Sequence, residues 1–422
     1  MDNISYSIKE SLVPDSDNRV PAFYILPKIH KQFNSDLPLG YPGRPIVSGC
    51  GSLTEKISSY VDNILKPHME SLPSYVKDTT DFIRKIQNIT NISTESFLVT
   101  MDVSSLYSNI PHNDGIKACQ YYLNQRTGQQ HSVKDILHLI EIVLTKSNFQ
   151  FGDDNYIQNL GTAMGTKMAP SYASLFMGKF EMDFLNTCER KPSIWLRFLD
   201  DIFFISDHSE EELITFFNEI NKYHNTIKFT YNYSKTNATF LDVNLEKKDN
   251  CEIETSVHEK ITNAHQYIEF SSCHPLSCKK GIPFTQAKRY RRITSNNNIY
   301  EKDCDKLRGY FRARNYPENI ITDTITRAST LSREDTLKLK DKSEERENVI
   351  PFVCTYNPSL PNIGKIINQY WNLLKFSPNE SVRKLYKYKP IVAYKRPRNL
   401  QDNLVHTHLI AKLMVGSVSK CC

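Results

Sequence analysis

The 422-residue chain is long enough to form two or three domains that each bury an apolar core. Its content of 39% hydrophobic and 24% charged residues excludes a largely disordered chain. The net charge of +6 is concentrated, because residues 279–314 carry eleven Lys or Arg and three acids, a balance of +8 that leaves −2 for the rest. This basic stretch predicts a polyanionic partner.

Ten cysteines without the dense spacing of a secreted scaffold indicate reduced thiols. The first residues lack a basic segment followed by an apolar run, and the sequence has no uncharged apolar stretch of ~18 residues. We therefore expect an intracellular protein that does not interact with membranes. The group His265, Cys273, His274 and Cys278 matches no standard zinc spacing, so we expect buried free thiols there.

Short apolar runs alternate with helical patterns along the chain, which indicates a mixed α/β (α+β) fold. In chain order, the sequence predicts a strand at 98–103, a helix at 133–144, a hairpin at 149–158, a helix at 171–185, strands at 195–199 and 202–205, and a further strand pair at 227–233 and 239–245. From about Lys279 the chain becomes basic and helical. The charged run 332–347 predicts a solvated linker helix or a domain boundary. A separate C-terminal segment is expected to begin near Asn348, just before the strand-like run 349–356.

The pair Asp200 and Asp201 stands between two apolar strands in RFLDDIFFI. Burying two adjacent carboxylates is costly unless cations neutralise them. Successive strand residues point to opposite faces, so both acids can serve one site only at a turn. A solvated turn is the alternative, but Asp102 ends another apolar run upstream. Three such carboxylates suit two Mg²⁺ (or Mn²⁺) ions about 3.5–4 Å apart.

Seven motifs occur in one order: LPKIHK, GRPIVS, VTMDVSSLYSNIP, GTAMGTKMAPSYASLFMGKFE, RFLDDIFFI, IKFTYNYS and FLDV. In this order they resemble the reverse transcriptases of Penelope-like retroelements, which are relatives of the telomerase catalytic subunit. The resemblance covers about residues 20–295. It implies an RNA-directed DNA polymerase that uses two Mg²⁺ ions, dNTPs, an RNA template and a DNA primer.

The resemblance also implies individual roles. Asp102 and Asp200 would bind both metal ions and Asp201 would be an auxiliary ligand. Lys28 and Arg44 would hold the triphosphate of the dNTP. The remaining predicted site residues are Tyr107 at the sugar, Gly161 and Gly165 near the nucleotide and template, Phe240, Leu241 and Asp242 in the primer grip, and Lys279, Lys280, Lys288, Arg289, Arg291 and Arg292 for nucleic-acid binding.

The architecture implied is a right-hand polymerase. We expect fingers at 1–95 with elements of 110–160, a palm of antiparallel strands backed by helices at 96–245, a mostly helical basic thumb at 246–347, and a C-terminal extension at 348–422. Family members often continue into a GIY-YIG endonuclease; its motifs are absent from this sequence, so we expect no endonuclease activity.

Two alternative functions and one residue assignment stay open at this point. An RNA-dependent RNA polymerase shares the palm and the carboxylates, and a catalytically silent nucleic-acid-binding remnant of a retroelement would retain the same sequence pattern. Lys228 and Lys235 compete for the role of the general acid that protonates pyrophosphate.

Overall fold

The computed structural model describes residues 6–399 except 15, 30–32, 38–39, 88, 90–91, 126–130 and 339–348. His30 and Lys31 of the first motif, most of the 332–347 run and residues 400–422 lie outside this part. The chain divides into two compact units, one formed by residues 1–263 and 293–296 and the other by residues 264–292 and 297–422. The four predicted domains remain predictions.

The described elements alternate as the sequence predicts. The α-helices are α1 (Tyr6–Leu12), α2 (Glu55–Glu70), α3 (Thr79–Ile86), α4 (Leu106–Asn109), α5 (His112–Leu123), α6 (Val133–Thr145), α7 (Ala169–Thr187), α8 (Glu210–Tyr223), α9 (Leu276–Ile293), α10 (Asn297–Arg312), α11 (Glu318–Ser329), α12 (Arg333–Leu337), α13 (Ile363–Tyr370) and α14 (Glu380–Leu385), with a 3₁₀ helix η1 (Trp371–Phe376).

The strands are β1 (Phe23–Pro27), β2 (Gly43–Val47), β3 (Phe97–Val103), β4 (Asn148–Phe151), β5 (Asp154–Ile157), β6 (Ile194–Phe198), β7 (Asp201–Ser206), β8 (Phe229–Ser234), β9 (Asn237–Phe240), β10 (Val243–Lys247), β11 (Ile253–Val257), β12 (Val349–Thr355) and β13 (Lys389–Lys395). The mixed α/β class is confirmed, as are the helices at 133–145 and 169–187 and the β4–β5 hairpin.

The centre of the first unit is a four-stranded antiparallel sheet with the strand order β6-β7-β3-β8. The alternate residues Val99, Met101, Ile202 and Phe204 belong to the main apolar core, which helices α2, α5, α6, α7 and α8 cover. Strand alternation therefore turns their neighbours to the other face. Both Asp102 and Asp201 are such neighbours.

The other face of the sheet meets a smaller aromatic cluster. Phe203 packs against Phe82 of α3 and Phe240 of β9, with ring centroids 5.3 and 5.8 Å apart. The strand-pair prediction for 227–233 and 239–245 is wrong in its pairing. Strand β8 pairs with β3, whereas the second run folds back on itself as β9 and β10 of a three-stranded sheet.

The second unit begins with helices. Leu307 and Phe311 of α10 and Ile321 and Ile325 of α11 are buried and form its core. The expectation of buried thiols is wrong for Cys273 and Cys278, which are exposed. No helix in the described ranges is long and apolar enough to cross a membrane.

Candidate active site

Three carboxylates meet at one end of the four-stranded sheet. Asp102 near the end of β3 is opposite Asp201, the first residue of β7, in the antiparallel register. Asp200 lies between Phe198 and Asp201 in the two-residue turn that joins β6 to β7. The Val103 N–H donates to the Asp200 carbonyl at 2.9 Å and joins the turn to β3. The chain thus collects the three acids that the sequence singled out.

The electrostatics of this cluster favour a bound cation. Burial, and then repulsion from Asp200 and Asp102, raises the pKa of Asp201 to about 6, and the Lys260 ammonium partly offsets the rise. Within the described ranges, no three His, Cys, Asp or Glu side chains are already arranged as a metal cage. The donor set nevertheless fits Mg²⁺ or Mn²⁺, because hard divalent cations prefer carboxylate oxygens and would relieve this repulsion.

A buried ion pair holds the β6–β7 turn in place. Arg197, 1% exposed, donates through Nε to Glu181 of α7 at 2.6 Å. Its other nitrogens donate to the carbonyl of Leu199 at 3.2 Å and to that of Ser174 at 3.0 Å. Leu199 has a φ of +55°, a region that costs a non-glycine residue about 1–3 kcal/mol. Arg197 therefore fixes the strained residue that precedes Asp200.

Glu181 is itself fully engaged. Its carboxylate accepts hydrogen bonds from the Ser74 hydroxyl at 2.6 Å and the Trp195 indole at 3.0 Å, in addition to Arg197. A buried carboxylate with this many donors is well compensated. The network connects α7, β6 and the segment before α3 to the base of the turn.

A cleft of about 510 Å³ lies beside the carboxylates. It is lined by Arg44, Ile46, Tyr107, Met164, Gly165, Thr166, Lys167, Ala169, Pro170 and Asp200. Four of these, Arg44, Tyr107, Gly165 and Asp200, were predicted from the sequence. The Arg44 and Lys167 cations and the Asp200 carboxylate among these lining residues suit an anionic ligand that also binds divalent metal.

Tyr107 borders the cleft on the short helix α4. Burial, together with the Asp200 carboxylate, raises the pKa of Tyr107 to about 12, so its ring carries a neutral hydroxyl. Ser105 before it has a φ of +51°, which turns the chain sharply after β3. The Tyr107 carbonyl accepts from the Thr162 N–H at 2.7 Å.

The glycine loop 161–168 connects this helix to strand β2. A Cβ on Gly161 (φ +67°) would lie 2.4 Å from the Tyr107 carbonyl oxygen, and one on Gly165 (φ +127°) would lie 2.4 Å from the Val47 carbonyl oxygen. The Val47 N–H donates to the Met164 carbonyl at 3.1 Å. Only glycine permits both this backbone conformation and this close approach.

Lys28 and Arg44 lie on the β1–β2 hairpin. Arg44 is opposite Leu26 in the register, and the Lys28 N–H continues the ladder to the Pro42 carbonyl at 2.8 Å. Leu26 and Lys28 share a face, so Lys28 and Arg44 are diagonal neighbours on the same side of the hairpin. Arg44 lines the cleft; Lys28 does not.

The predicted primer grip is the β9–β10 turn. Phe240 is buried against Phe82 at 4.6 Å, and Leu241 has a φ of +55°. The Asp242 carboxylate accepts a hydrogen bond from the Thr79 hydroxyl. These residues form a second turn with the same leucine φ as the β6–β7 turn, and its acid is hydrogen-bonded within the chain.

The basic cluster of the second unit is partly structural. Arg291 and Arg292 donate to the carbonyls of Leu331 at 3.1 Å and Thr336 at 3.0 Å, and Lys279 donates to that of Phe270 at 2.6 Å. These three side chains hold the helices of the second unit, a role that the sequence prediction missed. Lys280 is exposed, and Lys288 and Arg289 are half-buried.

The candidate general-acid lysines are both engaged. The Lys235 ammonium pairs with Glu95 at 2.6 Å, at the end of β8 that is far from Asp102. Lys228, next to the end of β8 that pairs with Asp102, donates to the carbonyls of Asn221 at 2.6 Å and His224 at 2.9 Å.

Sequence reasoning missed two lysines near the carboxylates. Lys167 lines the cleft and pairs with Glu55 at 3.1 Å. The only signal for it was its place as the sole cation in the glycine loop 161–168. Lys260 acts on Asp201 from beyond β11 and had no sequence signal.

The glycine loop generates the first prediction. Gly161→Ala and Gly165→Ala should each lower the free energy of unfolding by at least about 1–3 kcal/mol, because the added Cβ meets backbone and the φ is strained. Urea unfolding would measure this. Gly281→Ala is the matched control: that glycine lies inside α9 with open space around it, so alanine should stabilise the helix by about 1 kcal/mol. Equal changes in unfolding free energy at Gly161, Gly165 and Gly281 would contradict the claim that the loop conformation requires glycine.

The buried pair generates the second prediction. Arg197→Met should destabilise the protein by about 3–5 kcal/mol, since it leaves the Glu181 carboxylate buried without its cation. In a Glu181→Gln background the same substitution should cost clearly less, because no buried charge is then stranded. A double-mutant cycle by urea unfolding measures the coupling. Strictly additive losses of unfolding free energy in the double mutant would refute an energetic coupling between Arg197 and Glu181.

The raised pKa of Asp201 generates the third prediction. A carboxyl whose folded pKa is above its unfolded value destabilises the fold once pH rises through that window, from about 4 to about 6. In metal-free buffer, Asp201→Asn should therefore stabilise the protein near pH 7 by on the order of 1–2 kcal/mol, allowing for its partial exposure. The gain should disappear below about pH 4. A gain independent of pH would rule out electrostatic strain.

Comparisons with known proteins bear on the family and the fold of the chain. Residues 43–284, more than half of the chain, match the family model described as reverse transcriptase (RNA-dependent DNA polymerase). Residues 266–326 match a model described as animal helix-turn-helix domain. No curated protein matches the chain.

Among solved structures, the chain is similar to telomerase from Candida albicans in complex with a TWJ fragment of telomeric RNA, with a TM-score of 0.54, 10% identity and coverage of 91% of this chain and 67% of that one. It is also similar to a truncated apo telomerase from Candida tropicalis (TM-score 0.41, 14% identity, 58% and 55% coverage). A third is the RNA-dependent RNA polymerase of a human picobirnavirus (TM-score 0.46, 11% identity, 76% and 62% coverage).

The chain spans about 55% to 67% of the length of these structures. At such low identities the similarity concerns the fold alone. The similarity to the Candida albicans telomerase confirms the polymerase fold class predicted from the sequence.

Proposed function

The chain belongs to the reverse transcriptase (RNA-dependent DNA polymerase) family, and on this premise we propose that it extends a primer 3′-hydroxyl on an RNA template with dNTPs. The observation that carries the proposal is the meeting of Asp102, Asp200 and Asp201 beside a cleft lined by Arg44 and Tyr107. We propose a Penelope-like retroelement as its source, and with it a nuclear location, because seven motifs of that family occur in order.

The side chains of the proposed site have distinct roles in metal binding and triphosphate binding. Asp102 and Asp200 would hold two Mg²⁺ or Mn²⁺ ions, with Asp201 as auxiliary ligand; when bound, the ions supply activation of the hydroxyl and charge stabilisation of the leaving pyrophosphate. Arg44 binds the triphosphate, and Lys28 on the same hairpin face extends that contact. Lys167 in the cleft adds a third cation.

The other proposed contacts orient the substrates. Tyr107 borders the sugar of the incoming nucleotide, and its neutral ring excludes a 2′-hydroxyl. The turn Phe240–Asp242 positions the primer end, where the Asp242–Thr79 hydrogen bond keeps the turn rigid. The basic helices of the second unit bind the phosphates of the primer and template.

The carboxylates give the fourth prediction. On poly(rA)/oligo(dT) with Mg²⁺, Asp102→Asn or Asp200→Asn should reduce extension on the order of a thousand-fold or more, with template affinity nearly unchanged. Asp201→Asn should be less damaging than Asp200→Asn. The control is Asp153→Asn, an exposed acid between β4 and β5, which should extend like the wild type. Near wild-type extension by Asp200→Asn would show that Asp200 is not a metal ligand. An inactive wild type would favour the alternative of a catalytically silent nucleic-acid-binding remnant.

Tyr107 gives the fifth prediction. Tyr107→Val should admit ribonucleotides and lower the dTTP/UTP ratio of kcat/KM at least about tenfold, because the space for a 2′-hydroxyl opens. Tyr107→Phe keeps the ring and should keep the selection. The measurement is single-nucleotide extension with dTTP and UTP for the three proteins.

Two results would revise this part of the proposal. A wild type that uses UTP as well as dTTP would favour an RNA-dependent RNA polymerase. If Tyr107→Val leaves the dTTP/UTP ratio of kcat/KM unchanged, Tyr107 does not select the sugar and serves only to pack the core.

A further inference from the structure

The segment 349–399 is a second centre of positive charge. It contains nine Lys or Arg and a single acid, Glu380, so it carries +8. Residues 279–314 also carry +8 and the whole chain carries +6, which leaves −10 for everything else. Charge of this density, confined to a short folded segment, points to a polyanion.

This segment folds without a buried core. Strands β12 and β13 pair in parallel, and α13 lies over the sheet, where Gly364 is close to Val392. The Trp371 indole donates to the Tyr388 carbonyl at 3.0 Å and fixes η1. No residue from 349 to 399 is buried. Its apolar side chains are therefore available to a partner.

The outward side of α13 and η1 carries a regular apolar stripe. Ile366, Tyr370, Leu373 and Phe376 follow each other at spacings of four, three and three residues, so they share one face. Exposure rises along the stripe, from 42% at Ile366 to 81% at Phe376. Ile367, Trp371 and Leu374, which follow a separate line at spacings of four and three residues, are half-buried.

Charge and ring chemistry together identify the occupant. Lys365 and Lys375 immediately precede the first and last residues of the stripe in the sequence, and both are exposed. The Lys375 ammonium lies 4.3 Å from the Tyr386 ring centre. Exposed aromatic rings within a basic surface stack unpaired bases while the cations bind phosphates. A duplex hides its base faces, so the rings have nothing to stack on there.

We propose that the surface formed by Lys365, Ile366, Tyr370, Leu373, Lys375 and Phe376 binds a single strand of nucleic acid. Tyr370 and Phe376 stack on bases, and Lys365 and Lys375 bind the backbone. This inference goes beyond the proposed polymerase activity and does not depend on it, because strand binding is measured without synthesis.

The test uses the full chain and fluorescein-labelled U20, dT20 and a 20-base-pair duplex, with affinity read by anisotropy. Tyr370→Ala/Phe376→Ala should weaken binding of U20 or dT20 roughly tenfold or more, with duplex binding changed less than about twofold. Tyr370→Phe and Phe376→Tyr keep the rings and should bind like the wild type. Comparison of U20 with dT20 shows whether RNA or DNA is preferred.

Salt dependence supplies an independent measure. Lys365→Ala/Lys375→Ala should lower the slope of log affinity against log salt by about 1.4 for a single strand, since each phosphate contact contributes about 0.7. The matched control Lys134→Ala/Lys222→Ala removes two exposed lysines of the first unit and should leave the slope unchanged. Cross-linking of 4-thiouridine-labelled U20 should mark peptides within 349–399.

Four outcomes would overturn the inference. The first is single-strand affinity unchanged in the ring variants, and the second is an equal loss for duplex and single strand. The third is equal slopes in the two lysine pairs. The fourth is a change in sedimentation of the ring variants with no change in strand binding, which would assign the stripe to a protein partner. Failure of primer extension in the same preparation would bear only on the proposed polymerase activity.

Discussion

Repulsion among three carboxylates at one end of a buried sheet is the constraint on which the rest of the first unit depends. The register of β3 and β7 sets Asp102 opposite Asp201, and the turn adds Asp200. Without a cation the arrangement is costly, as the raised pKa of Asp201 shows. Burial of Met101 and Ile202 on the helix-covered face keeps the acids on the other face, so the core cannot relax without giving up its packing.

The chain contains two turns built on almost the same sequence, and they illustrate what the surroundings add. Phe198-Leu199-Asp200 and Phe240-Leu241-Asp242 both place leucine at a φ of +55° between two antiparallel strands. In the second turn the Thr79 hydroxyl pairs with the acid. In the first, Arg197 binds the leucine carbonyl, and the acid faces other carboxylates. Local sequence specifies the turn. Residues distant in the chain decide whether its aspartate is hydrogen-bonded, like Asp242, or lies beside other carboxylates, like Asp200.

The sequence predicted the features that depend on local pattern. The helix at 133–145, the β4–β5 hairpin and the strands around Asp200 follow from periodicity and turn chemistry. Partners distant in the chain were not predictable. Strand β8 joins β3 rather than the next strand because the sheet offers it a longer partner, and Arg291 and Arg292 bind carbonyls some forty residues away. No sequence pattern predicted the role of Lys260 or of the apolar stripe at 366–376. Each role depends on which residues lie nearby in the folded chain and on which side chains stay exposed.

The proposed function rests most on the three carboxylates as a metal site, and Mn²⁺ binding tests this assignment directly. Electron paramagnetic resonance of Mn²⁺ should be measured for the wild type, Asp200→Asn and the Asp153→Asn control, with primer, template and a dNTP present. If the carboxylates bind two metal ions, the wild type and the control should each bind two Mn²⁺, and Asp200→Asn should bind Mn²⁺ much more weakly. The same Mn²⁺ affinity and stoichiometry in all three proteins would contradict it.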